Sequence, residues 1–127
     1  MQRKNYEYAL IRVVPQVERE EFLNVGIILY CKSCHFLDTE IALDAKRLLS
    51  LNPSANTEEI TAHLEAFIKV TRGDSEAGPI ALLDMASRFR WLTATRSTII
   101  QCSSVHVGLC ENPRDALNRL YQELVLI

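Results

Sequence analysis

Glycine is scarce in this chain. Only four occur in 127 residues, and none falls in a G-x-G-x-x-G or Walker-type run, which excludes a nucleotide cradle built from closely approaching backbone amides. Long apolar runs are missing too; nothing approaches the ~18 consecutive residues of a membrane span. Charge of one sign does not dominate. Fourteen basic and sixteen acidic side chains leave a formal −2, so no overall field draws the chain to nucleic acid or to a lipid surface. There is no G-x-S-x-G elbow or comparable catalytic signature, no internal repeat and no low-complexity tract or linker.

What is present is an ordinary core. The apolar fraction is 48%, and a chain of this length forms one domain, here 1–127, burying roughly two thirds of its unfolded surface. The opening "MQRKNYEYALIRVV" is basic and then apolar, but Tyr6, Glu7 and Arg12 interrupt any signal-peptide core and no small-x-small cleavage site follows. A cytoplasmic protein is expected, with its four cysteines as free thiols.

Periodicity divides the chain into elements. "YEYALIRVVP" (6–15) reads as a central strand that Pro15 ends, and "FLNVGIILYC" (22–31) as a second. Gly26 inside that second strand marks a bulge or a close approach by a neighbour. "FLDTEIALD" (36–44) alternates, with Leu37, Thr39, Ile41 and Leu43 on one side, as a half-exposed strand near an edge does. "AKRLLSL" forms a short helix that Pro53 stops. Asn56 then caps a helix with Glu59 as its capping-box partner and Gly73 as its terminator. Pro79 opens a further helix over roughly 79–92. "RSTIIQCSSVHVGL" (96–109) returns to strand composition, and Asn112, Pro113 and Asp115 start a closing helix. The order predicts an α+β two-layer domain: a mostly antiparallel sheet of about four strands with helices packed on one face.

"CKSCH" (31–35) spells the attachment motif of c-type haem and contains the C-x-x-C of redox and zinc sites. It falls between two strands with just enough residues to reverse the chain, whereas a reactive C-x-x-C opens a helix. Cys102 and Cys110 are too far apart in sequence to be a second knuckle. The pentapeptide is therefore read as a turn, with no haem, no metal and no cofactor.

Two patterns nominate a site. "RFRWLTATR" (88–96) sets Arg88, Arg90 and Arg96 around Trp91 and Phe89. Guanidinium beside indole suits phosphate or base stacking, and equally a protein interface, where Trp and Arg are the commonest anchors; a solvated helix end is the plain alternative. Charge inside strands is the second pattern. Arg12 shares its parity with Tyr8, Leu10 and Val14, and Asn24 sits beside Phe22 and Ile28. A buried arginine without a partner costs roughly 3–5 kcal/mol, so Arg12 either pairs with Glu18, Glu20 or Glu21 or opens into an anion pocket. In the late strand Arg96, Thr98, Cys102, Ser104 and His106 share one face, and Ser97, Gln101 and Ser103 the other. The candidate interaction or anion-binding residues are thus Arg12, Arg19, Glu21, Asn24, Arg88, Trp91, Arg96, Ser97 and His106.

The string "YEYALIRVVP", "EREEFLNVGIILYC", "FLDTEIALD", "GPI" and "RFRWLTATRSTIIQCSSVHVGLCENP" resembles the bacterial domain-of-unknown-function 3037 family over almost the whole chain. The resemblance brings no catalytic residue. Its members tend to be encoded beside a HipA-like kinase, which implies a partner protein. Taken with the missing catalytic signature, this favours an interaction or accessory module over an enzyme. The alternatives are an enzyme or binding domain for an anionic small molecule or phosphodiester, using Arg12, Arg19, Arg88 and Arg96 with Glu21 or His106 as acid/base, and a binder of single-stranded nucleic acid.

Overall fold

In the computed structural model, which describes residues 2–126, β1 (Lys4–Val13) is the central strand. It pairs antiparallel with β2 (Leu23–Cys31) on one side, and on the other with β4 (Ile100–Cys102) and β5 (His106–Cys110). β3 (Phe36–Ile41) forms the edge beyond β2, giving the order β3-β2-β1-β4, with β5 continuing the row of β4 along β1. Residues 32–35 join β2 to β3 as a tight turn closed by the His35 N–H donating to the Lys32 carbonyl (3.1 Å). His35 takes the left-handed φ of 52° that reversal requires. "CKSCH" is a hairpin turn.

Two irregularities set which side chains share a face. Ile11 faces Gly26 but Arg12 faces Asn24, so Val25 is an extra residue in β2. Leu23 and Val25 thereby join Ile28 and Tyr30 in one core cluster although their parity differs. At Gly26 a Cβ would lie 2.7 Å from the Glu40 carbonyl oxygen, so the strands approach as only glycine permits. The second irregularity corrects the single late strand predicted over 96–109. Tyr8 faces His106 and Ile11 faces Cys102, so three residues of the outer row oppose two of β1. Ser103 bridges the gap: its hydroxyl accepts from the Leu10 N–H (2.8 Å) and its own N–H donates to the Leu10 carbonyl (2.9 Å). Cys102 and His106, expected on one face, consequently stand on opposite ones.

Both faces are covered. α1 (Ala45–Leu51), α2 (Thr57–Thr71) and α3 (Met85–Thr93) cover the face carrying Ala9, Ile11, Val13, Ile28 and Tyr30. α4 (Pro113–Leu124) lies on the other, over Tyr6, Ile27, Leu29 and Cys31. The α+β antiparallel fold is as the sequence implies; the helix distribution is not, since α4 takes the face opposite its three predecessors. The reason lies in β2, whose residues Leu23 and Val25–Cys31 are all buried. A strand apolar on both sides needs two covers.

The helix starts follow their caps. Asp44, Asn56, Asp84 and Asn112 each accept from a backbone N–H of the first turn. The helix expected over 79–92 is split: Pro79–Leu82 is a 3-10 turn, and α3 begins only where Asp84 accepts from the Ser87 N–H (2.7 Å). Among the described residues no helix is long and apolar enough to cross a membrane.

Candidate functional site

A groove of about 830 Å³ lies at the β4 edge of the sheet. α2 supplies one wall through His63, Phe67 and Val70, which recur at helical spacing. The C-terminal turn of α3 supplies Trp91 and Leu92, and β4 with the preceding loop closes the third side through Ile100 and Cys102. The lining is mainly apolar. Apart from His63, its polar side chains stand along the 94–101 segment and are partly spent on holding it: the Thr98 hydroxyl donates to the Ile100 carbonyl (2.7 Å), and the Gln101 amide to the Thr98 carbonyl (2.8 Å).

Arg96 is placed by Trp91. Its guanidinium carbon lies 4.3 Å from the indole centroid, and Nη2 donates to the Trp91 carbonyl. The cation thus sits at the C-terminal end of α3, where the helix dipole favours it. Trp91 remains 42% exposed, so the stacked pair forms a rim rather than part of the core. Among the described residues Arg96 makes no ion pair. Ser97 follows it on the same rim.

Cys102 lines this groove. Burial pushes its thiol up to about 12, against the pull of Arg96 and Arg12, and Sγ donates to the Leu92 carbonyl (3.4 Å). His63 Nε2 lies 3.7 Å from Glu59 Oε1 on the exposed side of α2.

The remaining candidate residues lie elsewhere. Arg12 and Asn24 face each other on the α4 side of the sheet. The Arg12 guanidinium lies 4.1 Å from the Phe22 ring centroid and makes no ion pair among the described residues, so the expected carboxylate pairing is corrected to stacking. Glu21 instead accepts from Arg19 Nε at 2.5 Å, which lowers the Glu21 carboxyl below its usual range and raises Arg19. Both border a hollow of about 200 Å³ beside the end of α1. Arg88 donates to the Leu83 carbonyl (2.6 Å), tying α3 to the turn before it. His106 is exposed on β5, its ring 5.3 Å from that of Tyr8. The acid/base constellation of Arg12, Arg19, Arg88 and Arg96 with Glu21 or His106 therefore does not converge on one pocket. Trp91, Arg96 and Ser97 do come together.

At the far end of the sheet Cys31 is buried, its thiol donating to the Asn5 carbonyl (3.4 Å). Burial, reinforced by Cys31, pushes the Cys34 and Cys110 thiols up, the reverse of what a reactive C-x-x-C requires. Among the described residues no three His, Cys, Asp or Glu side chains are grouped to hold a metal ion.

Phe67, Val70 and Ile100 went unnoticed as groove residues because their sequence signal is that of core. Phe67 belongs to the apolar stripe of α2, and nothing local tells that the stripe runs past the sheet edge. Comparison with curated proteins and with solved structures gives no match. The family described as "Protein of unknown function (DUF3037)" matches residues 8–125, a span that takes in every wall of the groove, and the chain belongs to that family.

Proposed function

We propose that the domain is a cytoplasmic binding module whose groove receives an extended, apolar segment of a partner protein carrying one carboxylate. The observation that carries this is the pairing of an apolar trough with Arg96, the one arginine or lysine among its lining residues, stacked on Trp91. Trp and Arg are the side chains that most often anchor interfaces. β4 adds a second support. Val14 donates to Ile99 and Ser103 to Leu10, so the alternate residues Ile100 and Cys102 direct their backbone groups away from β1, where an added strand would bond. The four free thiols suit a reducing compartment. Family resemblance makes a HipA-like kinase the first partner to try.

Selection of displayed random peptides on the wild-type domain, counter-selected on R96E and on W91A, tests this. Enriched sequences are expected to alternate apolar residues beside an Asp or Glu and to lose binding to both variants. Failure to enrich, or sequences that bind R96E equally well, would overturn the reading.

A second reading has its own support, because the groove volume of about 830 Å³ suits a small amphiphile with an anionic head. Trp91 is the sole tryptophan. A medium-chain fatty acid that saturably changes its fluorescence, in wild type but not in R96E, would favour that ligand. A single-stranded nucleic acid needs a cationic track, whereas Arg96 is the one arginine or lysine among the residues that line the groove.

A further inference from the structure

Among the described residues, β5 leaves one side of its backbone and two apolar side chains without a partner. The bonds from Val14 to Ile99 (2.7 Å) and from Ser103 to Leu10 (2.9 Å) show that even-numbered β1 residues turn their backbone groups toward the β4–β5 row. Lys4, Tyr6 and Tyr8 are in register with Cys110, Gly108 and His106. Those three residues therefore bond to β1, and by strand alternation Val107 and Leu109 direct N–H and C=O outward. The side chains of the same two residues stand together on one face, 70% and 57% exposed. No lysine, proline or internal bulge blunts this edge, as free edges usually are blunted.

We propose that β5 pairs with β5 of a second copy of this chain, antiparallel about a two-fold axis through Gly108. In that register Val107 lies opposite Leu109 of the partner subunit, and Leu109 opposite Val107 of the partner subunit. Each pair exchanges two hydrogen bonds, because these are the residues whose backbone groups point outward. The occupant is a second copy because the segment is its own complement. Centring on Gly108 sets apolar against apolar at both positions and His106 against Cys110 of the partner subunit, with no like charges opposed. Gly108 also keeps the axis free of side chains, since the Tyr6 ring lies over it and a Cβ there would be 2.4 Å from Tyr6 Cζ. The pairing joins two sheets into one. The strand is short, so the association is weak and concentration-dependent.

Sedimentation equilibrium tests this on the intact chain. The wild type is expected to shift with concentration from 14.5 kDa toward twice that mass. V107K/L109K sets lysine against lysine in both pairs and should weaken dimerisation at least about tenfold. V107K/L109E sets lysine against glutamate in this register alone and should restore the dimer, more weakly at high salt. The substituted side chains are mostly in solvent, and circular dichroism checks that each variant folds. The proposal fails if the wild type stays at 14.5 kDa at its highest soluble concentration. It fails equally if dimers survive V107K/L109K, or if V107K/L109E is as monomeric as the double lysine.

Discussion

Arg12 and Asn24 stand opposite each other on adjacent strands only because Val25 is pushed out of the ladder between them. Without that extra residue Arg12 would face Val25, and the polar pair would be split between the two sides of the sheet. Arg12 Nε and Asn24 Oδ1 are nevertheless both buried and without a hydrogen-bond partner.

This arrangement predicts a mild response to removing the charge. R12M keeps the aliphatic stem against Phe22 and breaks no ion pair, so unfolding in urea should shift by less than about 1 kcal/mol, in either direction. Loss of a true buried ion pair would instead cost about 3–5 kcal/mol, and a value in that range would show that Arg12 has a carboxylate partner after all.

Gly26 offers a contrast. A methyl group there meets the Glu40 carbonyl at 2.7 Å and the Ile41 side chain at 2.8 Å, both on β3, which the sheet holds in place. G26A should destabilise by about 1–3 kcal/mol. An unchanged urea midpoint would mean that β3 moves aside freely.

Alkaline stability should depend on Cys102. Its folded-state thiol is raised by burial from 9.0 to about 12, so the unfolded chain gives up this proton first as pH rises. The contribution is complete below pH 9 and lost as pH climbs toward about 12. C102A should therefore flatten the alkaline limb of a stability–pH profile, and parallel limbs for the two proteins would count against the burial. Alkylation under native conditions should reach Cys31, which is fully buried, last of the four thiols.

The Arg96–Trp91 stack should be visible spectroscopically. R96A uncovers one face of the indole and is expected to shift its emission to the red while costing about 0.5–1 kcal/mol, as an exposed cation–π contact does. An unchanged spectrum would place the guanidinium elsewhere in solution.

The helix ends were the most legible features, because each is set by a residue and its immediate neighbours. Asp44 before "AKRLLSL", Asn56 with Glu59, and Asn112 with Pro113 all start helices where local chemistry puts them. The hairpin at "CKSCH" was legible from its spacing. What failed was whatever depends on residues distant in sequence. The break at Ser103 exists because the outer row carries one more residue than β1 can match, and no local signal announces it. Gly26 hinted at a bulge without saying that Val25 would be the surplus residue. At the site, Trp91 and Arg96 were found because they are close in sequence and unusual in type. The wall contributed by α2 was not, since its stripe serves core and groove alike.

The placement of β1 has a consequence for biogenesis. Its inner neighbour, β2, follows within a few residues, whereas its outer neighbours wait for the last quarter of the chain; the Leu10–Ser103 bond spans 93 positions. A nascent polypeptide that has delivered everything through α3 still presents the flank of β1 as a sticky, unzipped seam. Closing so large a loop is slow, and the interval before Ile100 to Cys110 emerge is when this protein is most in need of a chaperone.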